Sequence, residues 1–178
     1  MKVDNMSWTK KLNLPLKARY LLLLISLFIL LLDQVTKYIV RGHVSLYETI
    51  PVVKNFWNWT LMYNKGAAFS LLASYHGNLP KLFFGIVALS VSVWIINYIL
   101  GKNYSKLTGF AMSFILGGAL GNLIDRILQG RVTDFIQWYY KSFYWPAFNL
   151  ADSFICIGVA ILIVEGIFFP HHHSKNTP

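Results

Sequence analysis

The sequence predicts an integral membrane protein with an all-α core: four transmembrane helices, a small extracytoplasmic β-sheet and an interfacial aromatic segment. Three observations predict it. Hydrophobic residues fill 56% of the 178 positions and charged residues only 13%, and mean hydropathy is +0.50, outside the balance of a soluble domain. Four apolar runs each approach the roughly 20 residues that a helix needs to cross a bilayer core. Between them, residues 41–78 turn to strand-like alternation, and residues 117–152 gather polar and charged groups that lipid alone does not tolerate. The formal charge of +9 lies beside the apolar runs, where basic clusters set topology, so membrane lipids rather than nucleic acid are the expected surroundings.

Residues 1–19 carry Lys2, Lys10, Lys11, Lys17 and Arg19 ahead of an apolar run from Tyr20 to Val40. A cleaved signal peptide opens in the same way. No small-x-small cleavage site follows here, and the run continues through Asp33-Gln34-Val35-Thr36-Lys37, so a retained first span over about 20–40 is expected. Phe56 to Asn64 alternates Trp57, Trp59, Leu61 and Tyr63 against Asn58, Thr60, Met62 and Asn64, a period of two that predicts a strand with its aromatic face among lipid headgroups. Asn64-Lys65-Gly66-Ala67-Ala68-Phe69 ends it in small residues that let another backbone approach.

The second span is expected over 79–100 and the third over 107–128, joined by the short basic turn GKNYSK. Lys102 and Lys106 match the basic amino terminus, so both termini are expected in the cytoplasm, with 129–149 and the strand region on the opposite side. The fourth span is expected over 150–169, followed by a cytoplasmic tail, 170–178. Its three histidines have no fourth ligand nearby, and no metal or cofactor is called for. Cys156, the single cysteine, reads as a small buried hydrophobe. With no repeat or low-complexity linker, one domain over 1–178 is expected.

Within 117–152, Asn122, Asp125 and Arg126 share one face of the third helix, after Gly117-x-x-x-Gly121, a spacing that permits close helix packing. Asp125 and Arg126 are as readily a neutralising pair as chemical groups. Asp33 and Lys37, four residues apart on the first helix, most simply neutralise each other. Asp134 and Asp152 differ, because each lies at the outward boundary of a helix. Neighbouring antiparallel helices would bring the two carboxylates together, where they would share one proton. The ionised partner would then act as general base on water, and the protonated one would polarise a scissile carbonyl. Helix capping is the plainer reading, for Asp152 above all. Phe135, Trp138, Tyr139, Tyr140, Phe143, Tyr144, Trp145 and Phe148 suit a segment lying in the interface, and Glu165 reads as interfacial and unrelated to the acids. A proton-conducting protein would instead spread its acids through the membrane depth.

In order along the chain, Asp33-Gln34-Val35-Thr36-Lys37, Thr60 to Asn64 with Gly66-Ala67-Ala68-Phe69, Gly118 to Asn122 with Asp125-Arg126, Val132 to Phe135, and Phe148 to Asp152 resemble the lipoprotein signal peptidases (signal peptidase II) of bacteria. That resemblance implies an intramembrane aspartic endopeptidase of the bacterial inner membrane. It would cut the signal peptide from a diacylglyceryl-modified prolipoprotein just before the lipidated cysteine. It implies Asp134 and Asp152 as the catalytic dyad, and Asn64, Gly66, Asn122, Arg126 and Asn149 as residues lining the site, supported by Asp33, Lys37 and Asp125. The family usually has a second valine where this chain has Thr133. A monomer is expected.

Overall fold

The computed structural model describes residues 10–64 and 79–169. Gly66 with its neighbours Lys65 and Ala67 to Phe69, and the histidines at 171–173, lie outside them. In chain order the elements are α1 (Leu16–His43), β1 (Thr49–Val53), β2 (Trp57–Asn64), α2 (Leu79–Gly101), α3 (Lys106–Gln129), β3 (Val132–Tyr140), β4 (Phe143–Tyr144) and α4 (Leu150–Phe168). All four helices are long and apolar enough to cross a membrane.

α3 is the most buried of the four and packs against each of the others. Its 24 residues span about 36 Å, longer than a hydrocarbon core. Its ends are defined chemically. Ser105 Oγ accepts from Thr108 N at 2.9 Å, and Gly130, at φ +72°, closes the last turn by donating its N–H to Arg126 O at 3.0 Å.

Small residues on α3 admit its neighbours. A Cβ on Gly117 would lie 2.7 Å from the Ile29 side chain, and one on Gly118 would collide with Ala151 O, so α1 and α4 close on α3 at van der Waals range only because glycine stands there. The apolar core lies toward the end away from the sheet, where Leu22, Ile95, Ile99, Tyr104, Met112 and Leu116 pack together.

The four strands form one antiparallel sheet in the order β1-β2-β3-β4. It sits at the end of the bundle where α1 and α3 finish and α4 begins. The aromatic segment is therefore part of the sheet: Val132–Tyr140 is its third strand and Phe143–Tyr144 its fourth. Asn58 and Thr60, on the polar face of β2, are buried, so this face packs inward against the protein. A register shift between Trp59 and Met62 breaks the alternation, so Thr60 and Leu61 are buried side by side. Leu61 packs with Val40, Val44 and Phe135, which locks the sheet to the end of α1.

Two further expectations change. Cys156 is exposed on a helix face turned away from the bundle, because in a membrane helix the outward face is the apolar one. Glu165 is buried and accepts from Thr108 Oγ1 at 2.8 Å, tying the end of α4 to the start of α3.

Candidate active site

The residues that converge under the sheet come from every helix but α2. On α1, Asp33 and Lys37 lie one turn apart and are fully buried, with Lys37 Nζ 2.8 Å from Asp33 Oδ2. The ammonium does more than neutralise its helical neighbour. It also lies 3.2 Å from Asp125 Oδ2 and donates to Asn122 Oδ1 at 3.1 Å, so its three hydrogens have three acceptors. Asp33 Oδ1 in turn accepts from Ala151 N at 3.0 Å, capping the first turn of α4 from another helix. A Cβ at Gly121 would sit 2.6 Å from Asp33 Oδ2, so glycine is required for this approach.

Asp125 pairs with Lys37 and, at 3.7 Å, with Arg41, and it also accepts from Thr133 N at 2.9 Å. These are its ion pairs among the described residues. Arg126 turns elsewhere: its guanidinium donates to Asn122 O at 3.3 Å, lies 5.4 Å from the centroid of the Phe84 ring, and acts electrostatically on Asp152, Asp134 and Asp125. Sequence reasoning did not single out Gln34 or Arg41. Gln34 Nε2 donates to Gly121 O at 3.0 Å and reaches Asp33 and Asp125, while Arg41 reaches Thr133 and Asp125. The signal was available for Arg41, because Asp33, Lys37 and Arg41 repeat every four residues on one face of α1.

Asp134 and Asp152 meet through amides. Asn149 Nδ2 donates to Asp134 Oδ1 at 2.7 Å, with Thr133 O and Asn122 Oδ1 each 3.2 Å away. Asn149 is the N-cap of α4 and forms a capping box with Asp152. Its side chain accepts from Asp152 N at 2.9 Å, and its backbone N–H donates to Asp152 Oδ2 at 3.3 Å. The capping reading of Asp152 thus holds for one oxygen. The other, Oδ1, accepts from Asn122 Nδ2 at 2.7 Å. Asn122 is accordingly the joint between the lysine cluster and the acid pair.

The two carboxyls have different surroundings. Asp134 is 2% exposed, and burial pushes its carboxyl up from 3.8 to about 7. The Asp152 charge adds to that rise, while hydrogen bonds from Asn149 and Asn64 and the Lys37 charge oppose it. Asp152 is half-buried in the first turn of α4, where the helix dipole attracts negative charge. Of the residues expected in the site, the structure gathers Asp33, Lys37, Asn64, Asn122, Asp125, Arg126, Asp134, Asn149 and Asp152 at the sheet end of the bundle.

Comparison with known proteins agrees on one family. Residues 25–168 match the family model described as signal peptidase (SPase) II. The chain is 44% identical over 147 residues to the lipoprotein signal peptidase of Chromobacterium violaceum, covering 82% of this chain and 90% of that one. It is 46% identical over 156 residues to the protein of the same name from Cellvibrio japonicus, covering 87% and 91%. A solved bacterial membrane enzyme, obtained by the in meso method at 2.3 Å, superposes with a TM-score of 0.73 at 31% identity over 96% of this chain and 98% of that chain. A matched model across most of its length, relatives above 40% identity and a shared membrane fold have one meaning: the chain belongs to the signal peptidase II family.

Proposed function

We propose that this chain cleaves prolipoproteins by aspartic chemistry, with Asp134 and Asp152 as the reacting pair. Membership of the family already makes it a multi-pass membrane peptidase that removes signal peptides from prolipoproteins. The observation that carries the catalytic type is the amide bridge: Asn149 is hydrogen-bonded to both carboxyl groups, and the buried ammonium of Lys37 is bonded to Asp33, Asp125 and Asn122 instead. Among the described residues no cation stands between these two acids, so burial and the neighbouring Asp152 charge raise Asp134 and favour one proton held by the pair.

Below a pH of about 7 the buried Asp134 keeps its proton, so it is the acid of the pair. Asp152 is the base. It takes a proton from water as the water oxygen bonds to the scissile carbonyl carbon, and Asp134 donates its hydrogen bond to the carbonyl oxygen that gains charge. The tetrahedral intermediate collapses by breaking its C–N bond, and the proton held by Asp152 passes to the leaving amine. Water is the only co-reactant. Asn122 and Asn149 hold the pair in place, and Asn64 and Arg126 are positioned to bind peptide carbonyls and orient the backbone. By its place in the sequence Gly66 joins them.

The finer substrate reading is a peptide cut just before a cysteine that carries diacylglycerol, entering sideways from the bilayer. Lys102 and Lys106 lie at the bundle end opposite the sheet, which supports cytoplasmic termini and a site facing out of the cytoplasmic membrane. The acids of the site also lie together at one end, as a peptidase requires and a transmembrane proton relay does not. A monomer suffices, since all the groups named come from one chain. The test is cleavage of a diacylglyceryl-modified prolipoprotein by the purified protein in detergent. Asp134→Asn and Asp152→Asn are each expected to lose cleavage while keeping the folded melting transition, and substantial turnover by either variant would overturn the dyad.

A further inference from the structure

The peptide unit just before Asp134 is held by three helices. Thr133 N donates to Asp125 Oδ2 on α3 at 2.9 Å, Thr133 O accepts from Asn149 Nδ2 at the start of α4 at 3.2 Å, and Thr133 Oγ1 accepts from Arg41 Nη1 on α1 at 3.1 Å. Thr133 is fully buried, whereas the Arg41 side chain is partly exposed. The same guanidinium nitrogen lies 3.7 Å from Asp125 Oδ1. One cation therefore reaches both the side chain of Thr133 and the carboxylate that holds the Thr133 N–H.

Asn149 Nδ2 has two hydrogens, and three acceptors are within reach: Thr133 O, Asp134 Oδ1 and Asn122 Oδ1. A small displacement of Thr133 redistributes those hydrogens and takes one from Asp134 or from Asn122. Displacements near 1 Å at a reacting group are known to cost on the order of a hundredfold in rate. Valine at position 133 would have the same shape and offer no acceptor, so the contact depends on both Arg41 and the hydroxyl.

We propose that Arg41 is a positioning residue for the reaction, which through Thr133 fixes the start of β3 and so the angle at which Asp134 meets Asn149. It touches neither carboxyl of the pair in the structure's hydrogen bonds and ion pairs. The inference rests on the dyad reading above.

The test is a double-mutant cycle of Arg41→Leu and Thr133→Val, with Arg41→Lys beside it, assayed for kcat, KM and melting temperature on the diacylglyceryl-modified prolipoprotein. Removing a hydrogen bond from a charged donor is expected to lower kcat roughly tenfold in Arg41→Leu and about threefold in Thr133→Val, with KM unchanged within about twofold. The double variant is expected to be no slower than Arg41→Leu alone, and Arg41→Lys to recover part of the rate. Losses that multiply, a change confined to KM, or full kcat in Arg41→Leu would overturn the proposal. Should Arg41→Leu fail to fold, Arg41→Met, which also removes the donor, takes its place in the cycle, and the same non-additivity decides. Active Asp134→Asn would instead overturn the dyad, while inactive aspartate variants with additive Arg41 and Thr133 losses would overturn the positioning role alone.

Discussion

Two pairs of aspartates lie at the sheet end of the bundle, and they differ in what stands between them. Asp33 and Asp125 are joined by an ammonium, since Lys37 Nζ lies 2.8 Å from one and 3.2 Å from the other, and all three side chains are fully buried. Asp134 and Asp152 are joined by neutral amides, those of Asn149 and Asn122. A cation between two acids balances their charge; with only neutral amides between the other two, the Asp152 charge adds to burial in raising the Asp134 carboxyl. Buried charge in this bundle is thus of two kinds, linked where Lys37 donates to Asn122 and Asn122 donates to Asp152.

The sharpest way to break the comparison is to remove a carboxylate from each pair in turn. Asp134→Asn or Asp152→Asn should lower kcat by roughly 10³–10⁴-fold, the range of a lost general acid or base, in assays of the purified variants. Asp33→Asn should leave a measurable fraction of that turnover, because its carboxylate holds Ala151 N and Lys37 rather than either acid of the reacting pair.

Removing the bridging cation should act on stability before chemistry. Lys37→Met leaves two buried carboxylates without their shared partner, a change that costs about 3–5 kcal/mol in comparable buried pairs, read by chemical or thermal unfolding in detergent. An unfolding midpoint equal to that of the parent would show that the lysine does not hold the buried acids together.

The pH dependence of stability sharpens the contrast further. The folded-state Asp134 carboxyl is raised from 3.8 to about 7, so the native state holds more protons than the unfolded one between those values and loses stability as pH rises through them. Asp134→Asn removes the titrating group. Its melting temperature should exceed that of the parent at pH 8, by no more than the equivalent of about 4 kcal/mol, and the gap should close below pH 4. The smallest effect is expected away from both pairs: Cys156→Ser on the outward face of α4 should change stability by less than about 0.5 kcal/mol and leave cleavage untouched.

The helices and the acid pair were legible in the sequence for a shared reason. Apolar runs of bilayer length and carboxylates at their boundaries both reflect the cost of polar groups in hydrocarbon. The third strand was not legible. Val132 to Gln137 is buried on nearly every residue, so no polar face alternates with an apolar one, and the surrounding rings looked like an interfacial belt. Asn58 and Thr60 misled for the opposite reason, being polar groups turned inward that only partners across the sheet account for, Glu48 O and Gln137 among them. Arg41 was hidden by its position at the end of a span, where a basic residue ordinarily marks the membrane boundary. Its stripe with Asp33 and Lys37 was present in the sequence, but the contact with Thr133 depends on how far β3 tucks beneath α1.

The measurement that bears most directly on the amide-bridged pair is the dependence of kcat on pH from about 4 to 9, with the diacylglyceryl-modified prolipoprotein saturating. A pair in which Asp134 must hold its proton predicts a rate that falls on the alkaline side, with a midpoint of about 7, as Asp134 loses that proton. A rate flat across that range in a folded enzyme would contradict the shared proton and with it the aspartic mechanism.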